Sequence, residues 1–129
     1  IAMIASVAGY RGLPNGAPYA PTKAALINLA ECIHPQLKQL GVTISVINPG
    51  FVETPMTEQN KFPMPFLMKS DQAARRIIKG LESGRFEIAF PKRMAWLLKS
   101  LRMLPYGLFF WLAGKLAPGG SSKPKKHTP

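Results

Sequence analysis

The stretch that decides the fold runs from Val42 to Gly50 and reads VTISVINPG. Its first six residues are β-branched except for Ser45, which favours a short, buried strand. The Asn-Pro-Gly that follows predicts a sharp turn, because proline fixes its own φ and glycine accepts bends that other residues resist. We therefore predict a strand over residues 42–47 that ends in a tight turn.

A helix precedes this strand. Between Tyr19 and about Leu40 the apolar residues recur at three- and four-residue intervals, the spacing of one helical face. The predicted inner face consists of Ala25, Leu26, Leu29, Ala30, Ile33 and Leu37. Gly41 should end the helix, and Pro35 should kink its last turn because it removes one backbone hydrogen bond.

Another strand opens the chain. Residues 1–5 read IAMIA, and the sequence from Ser6 to Pro18 is rich in glycine, proline and asparagine, as loops are. Two strands joined by a helical crossover are parallel, which predicts an α/β sheet. The opening strand has no initiator methionine and no turn residue before it, so we expect the chain to be a fragment.

Downstream of the turn, residues 51–68 have no sustained period and are predicted to form an apolar loop. Ser70 and Asp71 offer an N-cap for a helix that reaches about Glu82. The predicted inner stripe of that helix is Ala73, Ala74, Ile77, Ile78 and Leu81. Residues 86–90, FEIAF, alternate in polarity and predict a further strand at an edge of the sheet.

The net charge of +11 is concentrated near the C-terminus. Residues 69–129 hold thirteen basic residues against three acidic ones, whereas residues 1–68 hold four against three. Within 92–102 the residues Met94, Leu97, Leu98 and Leu101 share one helical face, and an aromatic run follows. A cationic, amphipathic segment of this kind can lie on an anionic membrane, so residues 92–117 are predicted to make peripheral membrane contact. The alternative is that they pack over a substrate pocket or a second subunit.

Composition excludes several classes of protein. An apolar fraction of 47% is too high for a disordered chain. The single cysteine, Cys32, is expected to be buried, and a chain without an internal disulfide or a leader is expected to be cytoplasmic. No cysteine and histidine spacing indicates a metal site, and no nucleic-acid module is recognisable. Residues 118–129 are expected to be a disordered basic tail.

The chemistry centres on Tyr19 and Lys23, which lie four residues apart at a helix start and hence on one face. The lysine ammonium stabilises the ionised phenol and so favours proton exchange. Alone, this spacing is common and usually marks a solvated tyrosine beside a surface lysine. Ser6, however, follows a strand at the edge where open α/β sheets bind ligands, and Thr54 follows the next strand at that same edge.

Four features together resemble the short-chain dehydrogenase/reductase family. They are Ser6, the Val7-Ala8-Gly9 after it, Tyr19-x-x-x-Lys23, and Pro49-Gly50-x-Val52-x-Thr54, at the intervals of the family. The resemblance covers residues 1–90 and implies the C-terminal, catalytic half of a Rossmann-like doubly wound parallel sheet. Residues 91–117 would then be a basic, apolar helical extension.

The resemblance also implies roles for these residues. Tyr19 would exchange a proton with the substrate oxygen as hydride passes to or from a nicotinamide, Ser6 would polarise that oxygen, and Lys23 would hold the ribose hydroxyls. The residues implied to contact NAD or NADP are Tyr19, Lys23, Pro49, Gly50, Val52 and Thr54. The implied protein interconverts an alcohol and a carbonyl on an apolar substrate, as a homodimer or homotetramer.

The glycine-rich turn that binds the pyrophosphate in relatives would lie upstream, about a hundred residues away at roughly 30 residues per βαβ unit. The 129-residue chain is therefore expected to be inactive by itself. The rival hypothesis is a non-catalytic membrane-surface or assembly module that retains the catalytic face.

Overall fold

The structure, a computed structural model, describes residues 1–60 and 63–117. It contains three parallel strands with helices on both faces of the sheet. In chain order the elements are β1 (Ala2–Ile4), a 3-10 turn (Val7–Gly9), α1 (Tyr19–Gln39), β2 (Ser45–Pro49), α2 (Pro55–Glu58), α3 (Ser70–Glu82), β3 (Glu87–Phe90), α4 (Lys92–Arg102) and α5 (Tyr106–Leu116). The predicted Rossmann-like α/β fold is confirmed.

The strand order is β1-β2-β3, so β2 lies in the centre and β3 at an edge, as predicted. The prediction placed the central strand at residues 42–47, and this was three residues too early at its start. The ladder begins only where Ser45 faces Ala2. Val42 instead donates its N–H to the carbonyl of Leu37 at 2.9 Å, and so it serves to close the end of α1.

Successive residues of β2 point to opposite faces of the sheet and build two separate cores. Val46 packs into a cluster with Ile27 and Ala30 of α1. Ile47 packs into a second cluster with Ala73 of α3 on the other face. Full burial of an aliphatic side chain of this size stabilises a fold by about 1.5–3 kcal/mol. The central strand therefore holds the two helical layers together.

The predicted inner face of α1 was partly wrong. Ala25 and Leu29 are exposed, and Ile27 is buried in their place. Several overlapping apolar stripes run along this helix, and its period alone does not say which one meets the sheet. Cys32, predicted to be buried, is exposed on the outer side of the helix.

The predicted stripe of α3 was wrong in the same way, since Ala74, Ile78 and Leu81 are exposed. Gly80 is buried instead, and a Cβ there would lie 2.6 Å from Cγ1 of Ile88. The missing side chain lets α3 approach β3 closely, and this close approach selects the face that packs. The N-cap was also predicted one residue late, because Lys69 occupies the N-cap position, without a side-chain hydrogen bond, and Ser70 is the first residue of the helix.

The segment predicted to be an apolar loop, residues 51–68, contains α2 and closes on itself. Val52 pairs with Met68, whose N–H donates to the carbonyl of Phe51 at 2.9 Å. Met68 is buried in the core under α3. The apolar side chains of Met56, Phe66 and Leu67 remain exposed. Residues 61–62 of this segment lie outside the described residues.

The helix α4 packs against the same face of the sheet as α1, and α5 contacts the loop that precedes α1. Ala95 and Leu98 of α4 are buried in the core, whereas Leu97, predicted to share that face, is 60% exposed because it lies on the flank of the helix. Arg11 stacks over the rings of Tyr106 and Phe109 of α5, with its Cζ 5.1 Å and 4.0 Å from their centroids.

None of the helices in the described ranges is long and apolar enough to cross a membrane. The predicted tail, residues 118–129, lies outside the described residues. The division of the chain at residue 90 stays a prediction.

Candidate active site

The carboxyl ends of β1 and β2 meet at Ser6. Its Oγ donates to the carbonyl of Pro49 at 3.3 Å and accepts from the N–H of Ala8 at 3.1 Å. The first bond is long for a hydroxyl donor and is therefore weak. The second bond caps the 3-10 turn and fixes the side chain in place. Ser6 is thus oriented by the backbone, and its proton is held only loosely by Pro49.

Gly9 holds the Ser6 turn against α1. A Cβ at this position would lie 2.9 Å from the backbone of both Lys23 and Ala24 and 2.8 Å from Cδ1 of Ile27. Contacts this short with backbone atoms leave no room for a side chain. Only glycine lets the turn approach the helix here, and the contact places Ser6 next to the helical turn that carries Lys23.

Lys23 ties the start of α1 to the end of β1. Its Nζ donates to the carbonyl of Ile4 at 3.3 Å and lies 5.5 Å from the centroid of the Tyr19 ring. An ammonium group has three donors, so two remain for other acceptors. Tyr19 is 52% exposed, and no atom in residues 1–60 or 63–117 hydrogen-bonds to its hydroxyl.

The predicted cofactor contacts after β2 lie at the same edge. The N–H of Gly50 donates to the carbonyl of Phe90 at 2.7 Å, and a Cβ on Gly50 would lie 2.9 Å from Cδ of Pro91. The turn is thus packed against the start of α4. Farther along, Thr54 caps α2 by accepting from the N–H of Thr57 at 3.4 Å.

Backbone contacts also hold Val52 in position. Its carbonyl accepts from the hydroxyl of Thr57 at 2.8 Å, and it pairs with Met68. The structure therefore gathers Ser6, Lys23 and Pro49 at one end of the sheet. Tyr19 lies one helical turn before Lys23. Val52 and Thr54 are held in the segment that follows β2.

A partly buried polar network, which no sequence pattern predicted, lies beneath this edge. Glu87 of β3 accepts hydrogen bonds from the hydroxyl of Tyr10 and from the ammonium of Lys99. Nδ2 of Asn48 donates to Oη of Tyr10 at 3.1 Å and to Oε1 of Glu87 at 3.3 Å. The available signals were an asparagine before Pro49 and a carboxylate within the apolar sequence FEIAF.

This network fixes the charge of its members. Burial opposes the ionisation of Glu87, but the hydrogen bonds from Lys99 and Tyr10 outweigh it and hold the pKa of that carboxyl below its usual value. Burial and the bond to Glu87 raise the pKa of Tyr10. Tyr10 therefore remains a neutral donor, and the network joins the Ser6 turn to β2, β3 and α4.

The replacement Glu87→Gln is expected to lower the free energy of unfolding near pH 7 by about 1–3 kcal/mol, because Lys99 loses its charged acceptor. The pKa of Glu87 is lowered in the folded state, so its stabilisation is present above the unfolded value of about 4.3 and is lost as pH falls through the folded value. Urea unfolding at several pH values measures both effects. The variant should then lose less stability on acidification than the wild type.

Glu82→Gln is the matched control, since Glu82 is exposed at the end of α3. Equal losses of stability in the two variants would contradict a stabilising role for Glu87.

Within the described residues, no group of three or more His, Cys, Asp or Glu side chains could hold a metal ion. A groove of about 620 Å³ lies away from Ser6, along the outer edge of β3.

Comparison with known proteins identifies what this arrangement resembles. The profile of the family described as "short chain dehydrogenase" matches residues 1–63. An uncharacterised oxidoreductase of Myxococcus xanthus is 38% identical over 113 residues, which cover 88% of this chain and 45% of that protein. The 3-oxoacyl-[acyl-carrier-protein] reductase MabA of Mycobacterium avium is 46% identical over 57 residues, 44% of this chain and 22% of that protein.

A short-chain dehydrogenase from Burkholderia cenocepacia, solved in complex with NADP, has the same fold. Its TM-score is 0.71 at 20% identity, over 92% of this chain and 47% of that one. The chain spans less than half the length of each of these relatives. The motifs at Ser6, Tyr19 and Pro49, the parallel sheet and these similarities agree: the chain belongs to the short-chain dehydrogenase/reductase family.

Proposed function

We propose that this chain supplies the proton-transfer half of an NAD(P)-dependent oxidoreductase that interconverts an alcohol and a carbonyl. The observation that carries the proposal is the hydroxyl of Tyr19. It has no partner in the described part of the chain, and it belongs to an exposed ring one helical turn from a lysine anchored at the end of β1. The relation to a 3-oxoacyl reductase supports a carbonyl as the reacting group.

The residues present fit a nicotinamide ribose. Lys23 has two unused donors after its bond to Ile4, and ribose hydroxyls accept such bonds. The exposed hydroxyl of Tyr19 can serve the same sugar. The bound NADP of the Burkholderia relative supports this choice of cofactor. We propose that Pro49, Gly50, Val52 and Thr54 line the nicotinamide side of the site.

When bound, the nicotinamide would donate or accept the hydride. Tyr19 would give its hydroxyl proton to the carbonyl oxygen of the substrate, or take it back in the reverse direction. Ser6 would release the long bond to Pro49 and donate to the same oxygen, which stabilises the charge that develops there. The ammonium of Lys23 would hold the ribose hydroxyls close to the Tyr19 ring.

Lys23→Ala tests this assignment in the full-length protein. Both the affinity for NADPH and kcat should fall, kcat by about 10²-fold or more, because one side chain holds the cofactor and supports the proton donor. Oxidation of NADPH with a panel of apolar ketones measures kcat, and calorimetry measures binding.

Lys38→Ala is the matched control, because Lys38 lies in the same helix near its far end. A Lys23→Ala variant that behaved like this control would rule out the proposed site.

The substrate that we propose is apolar. Met56, Phe66 and Leu67 are exposed on the segment that follows the nicotinamide-facing turn, while Val52 and Met68 close its base. Such side chains need an apolar partner, and a substrate held beneath this segment would provide one.

Amide hydrogen exchange tests whether this segment closes over substrate. Residues 55–60 and 63–67 should exchange more slowly when decanol is added to the NADP complex of the full-length protein. Hydrogen exchange in the backbone of α3 should not change, because Ala73 of this helix packs against Ile47 and Ile88 of the sheet. If the exchange rates of this segment were the same with and without decanol, the segment would not close over the substrate.

We further propose that peripheral membrane contact of the full-length protein involves α5. Tyr106, Phe110 and Trp111 of this helix are exposed, and Trp96 and Leu97 of α4 add to the exposed apolar surface. Lys115 lies over the Trp111 ring, with its Nζ 3.8 Å from the centroid. Covering of this face by a second subunit, in the homodimer or homotetramer implied by the family, is the alternative.

A further inference from the structure

The groove along the outer edge of β3 is separate from the proposed active site. Its volume is about 620 Å³, and it runs between α3 and α4 on either side of the strand. Its floor consists of β3 itself, from Glu87 to Phe90. The strand lies at the end of the β1-β2-β3 order, so no described strand pairs with its outer side.

The backbone of β3 presents hydrogen-bonding groups to this groove. Val46 donates its N–H to the carbonyl of Phe86, and Gly50 donates to that of Phe90. In a parallel ladder the residues that face the neighbouring strand alternate with residues that face away. The N–H and C=O groups of Glu87 and Ala89 therefore point outward, and an edge of this kind is a template for another strand.

The walls of the groove are strongly cationic. Arg76 and Lys79 come from α3, Arg85 precedes β3, and Lys92 begins α4. None of these four side chains forms an ion pair with another described residue. A fifth cation, Lys99, is neutralised by Glu87, the acidic residue among those that line the groove. Four unneutralised positive charges thus surround an open strand edge.

We propose that this groove binds an extended, acidic peptide segment of another protein, which adds to the sheet as a strand beside β3. Backbone pairing with Glu87 and Ala89 would supply alignment. Acidic side chains at alternate positions share one face of the added strand and would reach Arg76 and Lys79 on the α3 wall. The side chains between them would face Ala95 and Trp96 on the α4 wall. Pairing with a second copy of this chain is disfavoured because it would bring two sets of four uncompensated cations together. This proposal does not depend on the proposed oxidoreductase activity.

The test uses the full-length protein and a fluorescein-labelled peptide with the sequence Glu-Val-Glu-Val-Glu-Val, followed by fluorescence anisotropy. A peptide with lysine in place of each glutamate controls for charge. A glutamate peptide that is N-methylated at alternate residues controls for backbone pairing. Only the unmodified acidic peptide should bind.

Two pairs of charge reversals locate the site. Arg76→Glu with Lys79→Glu should weaken binding by about tenfold or more. Lys69→Glu with Arg75→Glu changes the net charge of the same helix equally, but neither residue lines the groove, and Arg75 is paired with Asp71 at 3.0 Å. This control pair should change the affinity much less. Equal effects would mean that binding reflects overall charge and would overturn the proposal.

Ala89→Pro tests the strand pairing itself. It removes an outward-facing N–H and leaves the ladder between β2 and β3 intact, so it should abolish binding of the acidic peptide. If this variant folds poorly, the N-methylated peptide makes the same test on the wild-type protein. Binding that survives both changes would identify a general anion site and overturn strand addition. A wild-type dimer that Ala89→Pro converts to a monomer in sedimentation would assign the edge to a second copy and overturn the proposal as well.

Discussion

Replacing Tyr19 with phenylalanine in the full-length protein is expected to lower kcat by about 10²–10⁴-fold, the usual contribution of a general acid or base. The ring would remain at the start of α1, and only the oxygen proposed to exchange the proton would be lost. That oxygen has no hydrogen-bond partner among the residues that the structure describes, so its removal breaks no hydrogen bond within them. The free energy of unfolding should therefore stay within about 0.5 kcal/mol of the wild type.

The affinity for NADPH distinguishes a chemical role of Tyr19 from a structural one. NADPH should still bind Tyr19→Phe, because Lys23 keeps its anchor on Ile4 and its two unused donors, and only the bond from the Tyr19 hydroxyl to the ribose is lost. Tyr106→Phe is the matched control, since Tyr106 is also an exposed tyrosine at the first position of a helix. Retention of more than a few per cent of kcat by Tyr19→Phe would remove Tyr19 from the proton-transfer step.

The sequence predicted those parts of the site whose positions follow from the order of neighbouring strands and helices along the chain. Ser6 follows one strand and Pro49 the next, and parallel strands joined by a helix end at the same edge. The bond between Ser6 and the carbonyl of Pro49 is a direct result of that topology. Likewise, once a helix was predicted there, the four-residue spacing of Tyr19 and Lys23 placed both residues on one helical face.

The parts that could not be predicted depend on contacts between distant residues. Tyr10 and Glu87 are 77 residues apart in the chain, and no local pattern links a loop tyrosine to a strand carboxylate. The packing face of α3 also required knowledge of its neighbour. Apolar periodicity favoured Ile78, whereas the close approach of Gly80 to Ile88 decided the orientation of the helix.

Residues 1–129 on their own are expected not to bind NADPH at micromolar concentrations. A dinucleotide lies across the crevice of a doubly wound sheet, and its pyrophosphate is bound by N–H groups at the start of a helix next to a glycine-rich turn. The residues proposed for the site would contact only the nicotinamide end of such a ligand. Contacts to one end cannot supply the affinity of the whole molecule. Calorimetric titration with NADPH and NADH measures this directly.

The same chain is expected to self-associate through β1. Ile1 and Ile4 are 63% and 53% exposed, and no described strand pairs with β1 on the side away from β2. An apolar strand with an open edge pairs readily with another chain. Light scattering should show species larger than a monomer, and Ile4→Lys should reduce their size because a charge on an edge strand opposes pairing.

Ile4→Lys also distinguishes two reasons why residues 1–129 would fail to bind NADPH. One is self-association that blocks the cofactor site, and the other is the lack of groups that bind the pyrophosphate. If self-association alone masked the cofactor site, the more monomeric variant would recover NADPH binding. We expect no recovery, because the groups that bind the pyrophosphate are not supplied by the candidate site at the ends of β1 and β2. Micromolar NADPH binding by a monomeric, cooperatively unfolding form of residues 1–129 would show that this chain carries a complete dinucleotide site.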